Sequence, residues 1–152
     1  MDNKTKIKVG DYFVFKGQLI DGHEFISNNI NSLKVVSFFP KLNTSICDMQ
    51  TLRMVEWSKQ FPYITFISTS MDPIEVAQKW CKAHGISNLF FVSDQKLQDF
   101  ANKTNLYLEN KKMLKRGLML IDADNKIIAL TVNKDFHQEP LYEVIESKLI
   151  NC

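Results

Sequence analysis

The strongest constraint on the fold of this chain is the alternation of strand-forming and helix-forming segments in its first hundred residues. Short β-branched and aromatic runs predict strands at 35–39, 63–67 and 89–92. The segments between them predict helices, over 44–60 and 72–84. Strands that alternate with helices in this way lie parallel in one sheet, and right-handed helical crossovers connect them.

The rest of the chain adds antiparallel strands to that sheet. Residues 122–126 form turns readily and join two apolar runs, which predicts a β-hairpin. The remaining predicted elements are short strands at 12–15 and 19–20, the hairpin strands at 118–121 and 127–132, a short helix near 97–101, and a final helix from Pro140. The predicted fold is therefore α/β, with a mixed central sheet and helices on both faces, which is the layout of thioredoxin-like folds.

Both long helices carry signals at their ends. The hydroxyls of Thr44 and Ser45 can cap the first helix, whose apolar residues lie on more than one face and predict burial on several sides. Asp72 fits the N-cap of the second helix, with Pro73 at its first position and Gly85 at its end. The extent of both helices is thus predicted from local chemistry.

Composition and charge exclude several classes of function. The 152 residues predict a single domain over 1–152, with a core that needs neither disulfide bonds nor a structural metal. The net charge is only +2, from 19 basic and 17 acidic residues, so nothing favours nucleic-acid binding. The amino terminus lacks a secretory signal, and no apolar run approaches the ~18 residues that would span a bilayer, so we expect no membrane association and a cytoplasmic location.

Three cysteines, Cys47, Cys81 and Cys152, are the most informative reactive groups. In a reducing compartment they do not form a permanent bridge by default, and their spacing gives little support to a metal site. Cys47 stands near the third position of the first long helix, where the helix dipole and free backbone N–H groups favour the thiolate. Position alone also fits a small buried hydrophobe, which is what most free cysteines are.

The residues around Cys47 favour the reactive interpretation. The segment from Pro40 to Cys47, Pro-Lys-Leu-Asn-Thr-Ser-Ile-Cys, resembles the P-x-x-x-T-x-x-C active-site motif of peroxiredoxins. Residues 80–85, Trp-Cys-Lys-Ala-His-Gly, are similar to the segment that carries the resolving cysteine of the bacterial thiol peroxidases, which are atypical two-cysteine peroxiredoxins. Residues 115–122 resemble the strand that supplies the arginine of that family.

This resemblance implies a role for each matching residue. Cys47 would be the peroxidatic nucleophile, and Thr44 would offer its hydroxyl to the thiolate and the peroxide. Arg116 would supply a fixed positive charge, and Pro40 would wall the pocket and restrict water. Cys81 would condense with the sulfenic acid of Cys47 to form an intramolecular disulfide. Because a disulfide requires close Cα atoms, at least one helix end must open, and we expect the first turn around Cys47 to unwind.

The resemblance also implies partners. The substrate would be a hydroperoxide, a thioredoxin-like dithiol would restore the thiols, and a homodimer is possible. No metal or organic cofactor is expected. Cys152 is the rival resolving cysteine, since other two-cysteine peroxiredoxins place theirs near the carboxyl end. A non-catalytic thioredoxin-fold binding module, or a redox-regulated partner protein, remains an alternative, whereas the missing C-x-x-C disfavours a disulfide oxidoreductase.

Overall fold

The computed structural model describes residues 5–86, 89–108, 110–135 and 137–150. In these ranges the strands are β1 (Lys16–Leu19), β2 (Glu24–Ile26), β3 (Lys34–Phe38), β4 (Thr65–Ser70), β5 (Phe90–Ser93), β6 (Tyr107–Leu108), β7 (Met113–Leu114), β8 (Gly117–Ile121) and β9 (Ile127–Val132). The α-helices are α1 (Ser45–Gln60), α2 (Ile74–His84), α3 (Asp99–Thr104) and α4 (Tyr142–Ile150). None of the described helices has the length and apolar character needed to cross a membrane.

Seven of the strands form one mixed sheet, in the order β2-β1-β5-β4-β3-β8-β9. The central strands β5, β4 and β3 are parallel, as the alternation of strands and helices predicts. The flanking strands β1, β2, β8 and β9 pair antiparallel, and β8 and β9 form the predicted hairpin. The predicted mixed sheet is therefore confirmed.

Side chains alternate between the two faces of the sheet and build a separate core on each. The first core packs α1, α2 and α4 against residues such as Val35 and Phe66, and it contains both Cys47 and Cys81. The second core packs α3 and an aromatic segment of the amino-terminal region against residues such as Val36. Both faces are covered by helices, as predicted, and both described cysteines lie on the same face.

Helix α1 differs from its prediction in how it is buried. Only one face is fully buried, and its residues are Cys47, Gln50, Thr51, Met54 and Trp57. Met49 and Leu52, two of the apolar residues behind the predicted burial on several sides, are 49% and 43% exposed. The prediction of burial on several sides was wrong because two polar residues occupy the buried face while two apolar residues face outwards.

The carboxyl-terminal half of α1 is anchored to α4. The rings of Trp57 and Tyr142 meet edge to face with 5.9 Å between their centroids, and the indole N–H donates to Glu146. Arg53 lies over the Tyr142 ring at 4.3 Å. These contacts fix the end of α1 that lies away from Cys47.

The beginning of α2 also departs from the predicted cap. The helix starts at Ile74, Pro73 occupies the N-cap position, and no side chain caps the first turn. The Asp72 carboxylate bonds elsewhere, to the backbone N–H of Leu42. The predicted end is confirmed, because Gly85 has the left-handed conformation that terminates a helix, with a φ of 63°.

Two further segments differ from their predictions, one before β1 and one before Arg116. The apolar run at 12–15 was expected to be a strand, but it only bridges Tyr12 to Lys126, and its phenylalanines fill the second core. The segment before Arg116 contains a small hairpin of β6 and β7 that the sequence did not predict. Contacts with distant residues, rather than local propensity, stabilise residues 12–15 and the β6–β7 hairpin.

Candidate active site

The candidate site lies where β3 ends and α1 begins. Phe39 to Thr44 form a short loop between the two elements, and Thr44 is the N-cap residue of α1. Cys47 is therefore the third residue of the helix, as predicted from the sequence. Its side chain is fully buried. A thiol at this position meets the positive end of the helix dipole and the free N–H groups of the first turn.

Arg116 reaches the same place from the neighbouring strand. β8 pairs antiparallel with β3, with Gly117 opposite Phe38, so Arg116 stands beside the end of β3. A side chain at position 117 would collide with the Thr131 carbonyl oxygen and the Phe38 ring, which explains the glycine after the arginine. Close strand pairing thus positions Arg116 next to the first turn of α1.

The Arg116 guanidinium holds the sulfur directly. Its Nη2 donates to Cys47 Sγ at 3.2 Å, and its Nη1 donates to Gln50 Oε1 at 2.8 Å. Arg116 is 2% exposed, so water screens this interaction little. The guanidinium therefore places a buried positive charge and a hydrogen-bond donor beside the sulfur.

Gln50 is a site residue that the sequence analysis missed. It lies one turn after Cys47, and its Nε2 is within hydrogen-bond distance of Ser37 Oγ (2.7 Å) and of the Phe38 and Gly117 carbonyl oxygens (both 3.1 Å). The amide is thereby oriented so that its oxygen faces Arg116. The i, i+3 spacing from Cys47 could have placed Gln50 on the same face, but its partners lie on two strands and leave no local sequence signal.

A pocket of about 310 Å³ lies against Cys47 and Arg116. The residues that line it are Pro40, Lys41, Thr44, Ser45, Ile46, Cys47, Met113, Arg116 and His137. The structure thus brings together four of the five predicted site residues. Met113 and His137 were not predicted, because they come from the small hairpin and from the segment after β9, which carry no recognisable motif.

Thr44 lines the pocket, but its hydroxyl has another partner. Thr44 Oγ1 donates to the Lys41 carbonyl oxygen at 2.9 Å, and it does not cap α1. The predicted side-chain cap was therefore wrong, because the hydroxyl turns back towards the loop and its oxygen makes no capping bond with the first turn of α1. Its oxygen can still accept a hydrogen bond from a molecule in the pocket. The predicted role of Thr44 towards thiolate and peroxide stays a prediction.

Cys81, the fifth predicted residue, lies in α2 and does not line the pocket. Cys47 and Cys81 are both free thiols, and both belong to the core on the same face of the sheet. Burial raises the pKa of the Cys81 thiol above its ordinary value. Cys81 is thus held as a neutral thiol until its surroundings change. Cys152, the rival resolving cysteine, lies outside the described residues.

The sheet order and the sulfur–guanidinium pair place the chain among thioredoxin-like α/β proteins that use a cysteine for their chemistry. The family description "AhpC/TSA family" matches residues 11–130, and the chain belongs to this family. The predicted resemblance to the thiol peroxidases is confirmed, and with it the assignment to thiol-dependent peroxidases.

Curated relatives and solved structures agree with this assignment. The thiol peroxidase of Oceanobacillus iheyensis is 28% identical over 148 residues, which cover 97% of this chain and 89% of that protein. The thiol peroxidase of Streptococcus parasanguinis is 30% identical over 110 residues, or 72% of this chain and 67% of that protein. A peroxiredoxin-like protein from Aquifex aeolicus superposes with a TM-score of 0.85 at 22% identity, covering 95% of this chain and 87% of that one. The thioredoxin-like fold is therefore confirmed.

Proposed function

We propose that this protein reduces hydrogen peroxide and alkyl hydroperoxides with Cys47 as the nucleophile. The observation that carries the proposal is the 3.2 Å contact between Arg116 Nη2 and Cys47 Sγ, two residues that line one pocket. A buried sulfur without a charged partner would be inert, whereas one held by a guanidinium is poised to react.

In the first step, the Cys47 thiolate attacks one oxygen of the hydroperoxide. A sulfur–oxygen bond forms, the O–O bond breaks, and Cys47 becomes a sulfenic acid. The other oxygen leaves with the bonding electrons and takes up a proton as water or an alcohol. Arg116 stabilises the negative charge as it passes from sulfur to that oxygen, and Gln50 keeps the guanidinium in place.

Two loop residues shape the place where the peroxide binds. Pro40 is buried and donates no backbone hydrogen bond, so it forms an apolar wall that limits the water around the sulfur. The Thr44 hydroxyl donates to Lys41, so its oxygen is available to accept the O–H of a bound hydroperoxide. The substrate is then oriented by Arg116 and Thr44 together.

In the second step, Cys81 attacks the Cys47 sulfenic sulfur. An S–S bond forms, the S–O bond breaks, and hydroxide leaves and is protonated to water. Both sulfurs are buried on separate helices, so the chain must open first. The first turn of α1 is the part expected to unwind, because the other half of the helix is anchored through Trp57 to α4.

The proposed cycle also needs a reductant, a reducing compartment and a defined oligomeric state. A thioredoxin-like dithiol restores both thiols by exchange, a reducing cytoplasm keeps them free between turnovers, and two copies assemble as a homodimer. Sedimentation of the reduced and oxidised protein tests the dimer, and a coupled assay with a thioredoxin system tests the reductant.

Thiol counting and peptide mapping after one equivalent of hydrogen peroxide test the catalytic cycle. The wild type should lose two thiols within seconds and yield a Cys47–Cys81 disulfide. Cys47→Ser should lose neither thiol at that rate, and Cys81→Ser should stop at a Cys47 sulfenic acid that dimedone traps. Cys152→Ser is the control and should form the disulfide normally. Slow, unselective oxidation of the wild type would instead support a non-catalytic binding module.

A further inference from the structure

The loop that leads to Cys47 is tied to a residue outside the catalytic set. Asp72 is 7% exposed, and its Oδ2 accepts two hydrogen bonds, from the backbone N–H of Leu42 (2.9 Å) and from the Ser70 hydroxyl (2.7 Å). Leu42 lies midway between Pro40 and Thr44 and is fully buried. The carboxylate therefore fixes the middle of the loop.

The Asp72 side of this link is itself fixed to the sheet. Ser93 Oγ donates to the Asp72 carbonyl oxygen at 2.6 Å, and Asp94 N donates to the Ser70 carbonyl oxygen at 2.9 Å. These bonds join the ends of β4 and β5. Asp72 also stands two residues before α2, the helix that carries Cys81. One hydrogen bond thus connects the loop before Cys47 to the base of the Cys81 helix.

The charge of Asp72 depends on the same contacts. Burial raises the pKa of Asp72, and the Leu42 N–H and the Ser70 hydroxyl counteract this by bonding to its ionised form. Lys41 also favours the ionised form, whereas Asp48 opposes it. A buried carboxylate that meets a single backbone N–H of the loop makes a charge-assisted bond, which is stronger than a neutral one.

We propose that Asp72 is a positioning residue that keeps the loop from Pro40 to Cys47 closed and thereby sets the rate at which oxidised Cys47 reaches Cys81. The inference rests on the proposed function, because it concerns the step in which the Cys47 sulfenic acid and Cys81 combine. In this proposal the loop from Pro40 to Cys47 moves together with the first turn of α1, so the bond from Leu42 to Asp72 breaks before the disulfide forms.

A slower release has a chemical consequence. While the sulfenic acid stays unresolved, a second hydroperoxide can oxidise it to sulfinic acid. A new S–O bond forms, the O–O bond breaks, and the other oxygen leaves as water or an alcohol. The strength of the Asp72–Leu42 bond therefore sets the balance between the disulfide and the overoxidised enzyme.

Rapid-quench kinetics of Asp72→Ala and Asp72→Asn test this role. Asp72→Ala should form the disulfide roughly tenfold faster than wild type, as expected for loss of one bond to a charged acceptor. The peroxide concentration that overoxidises half of the Asp72→Ala protein should rise by the same factor. In a Cys81→Ser background, Asp72→Ala should change the rate of sulfenic acid formation by no more than about twofold. Asp72→Asn keeps an oxygen for Leu42 but loses the charge, so its rate should lie between those of wild type and Asp72→Ala. Ser93→Ala is the matched control, since it loses a bond to Asp72 without touching the loop, and it should change neither step.

Hydrogen exchange in the reduced wild type supplies a second test that needs no variant. The Leu42 amide should open at least as fast as the disulfide forms. Slower exchange, or an unchanged disulfide rate in a folded Asp72→Ala, would overturn the proposal. A wild type that forms no Cys47–Cys81 disulfide at all would instead refute the proposed function, so the two failures are distinct.

Discussion

Two cysteines on the same face of the sheet are almost equally buried, yet their surroundings differ completely. Cys47 is fully buried and Cys81 is 6% exposed, so access to water does not separate them. Cys47 accepts a hydrogen bond from a guanidinium, whereas Cys81 packs among apolar side chains of the core. The comparison teaches that two almost equally buried sulfurs can meet opposite surroundings, a guanidinium at Cys47 and apolar side chains at Cys81.

The polar surroundings of Cys47 are built from distant parts of the chain. Arg116 immediately precedes β8, the strand next to β3, and Gln50 orients it while bonding to both strands. The apolar surroundings of Cys81 need no such network, since burial alone raises its pKa. Changes in the polar network should therefore alter the chemistry, while changes around Cys81 should mainly alter stability.

The largest effect is expected from removing the guanidinium. Arg116→Met should lower the second-order rate of Cys47 oxidation by about 10²–10³, because the buried charge that stabilises the developing negative oxygen is lost. Stopped-flow tryptophan fluorescence with hydrogen peroxide measures this rate. Arg53→Met is the matched control: Arg53 lies on α1 but contacts Tyr142 rather than the pocket, so the rate should stay near wild type. A wild-type rate in Arg116→Met would show that the guanidinium does not distinguish the reactivity of Cys47 from that of Cys81.

A smaller effect is expected when the guanidinium loses its support. Gln50→Leu should lower the same rate by roughly tenfold, since Arg116 loses the amide oxygen that orients it. Unfolding in urea should show about 1–3 kcal/mol less stability, because the hydrogen bonds from Gln50 to two carbonyl oxygens are lost. Thr51→Val is the control, because it removes a hydrogen bond to the Cys47 carbonyl oxygen on the same buried face without touching Arg116. Equal rates in the two variants would mean that Gln50 has only a structural role.

The sequence predicted the site residues that belong to local motifs and missed those whose roles depend on distant partners. Cys47, Pro40 and Arg116 belong to recognisable motifs, and the structure places all three around one pocket. Gln50 and Asp72 were not predicted in their roles, because the bonds to Phe38, Arg116 and Leu42 that define these roles join residues 12 or more positions apart. A carboxylate before a helix has the local pattern of an N-cap, and only the packing of the loop against β4 decides that it bonds to Leu42 instead.

The fold was predictable to a similar degree. Helix bounds at Gln60 and Gly85 follow from local propensity and capping, and the βαβαβ order follows from periodicity. The sequence analysis missed the small hairpin of β6 and β7 and the buried face of α1. The buried face includes polar residues, and these are buried because tertiary hydrogen bonds satisfy them. Local chemistry thus predicts elements well and their contacts poorly.

Serine substitutions sharpen the comparison of the two cysteines. Cys81→Ser puts a hydroxyl among apolar side chains and should cost about 1–2 kcal/mol more in unfolding free energy than Cys47→Ser, whose hydroxyl can accept from Arg116. Urea unfolding in reducing buffer measures the difference. Cys81→Ala lacks the buried hydroxyl and should be more stable than Cys81→Ser. Equal losses at positions 47 and 81 would show that the two surroundings do not differ in polarity.

The smallest effect is expected in the alkaline pH dependence of stability. Burial raises the pKa of Cys81 from its ordinary value of 9.0, so above that pH the unfolded chain loses this proton while the folded protein keeps it. The unfolded state then binds fewer protons, and the free energy of unfolding falls as pH rises through this window. Cys81→Ala should therefore lose stability less steeply above pH 9 than wild type. Burial also raises the pKa of Tyr142, but both proteins share that contribution, so it cancels in the difference. If the stability–pH curves of wild type and Cys81→Ala were parallel, the Cys81 thiol would ionise as easily in the core as in water. The difference between Cys81 and Cys47 would then lie in their positions in the fold and not in the ionisation of Cys81.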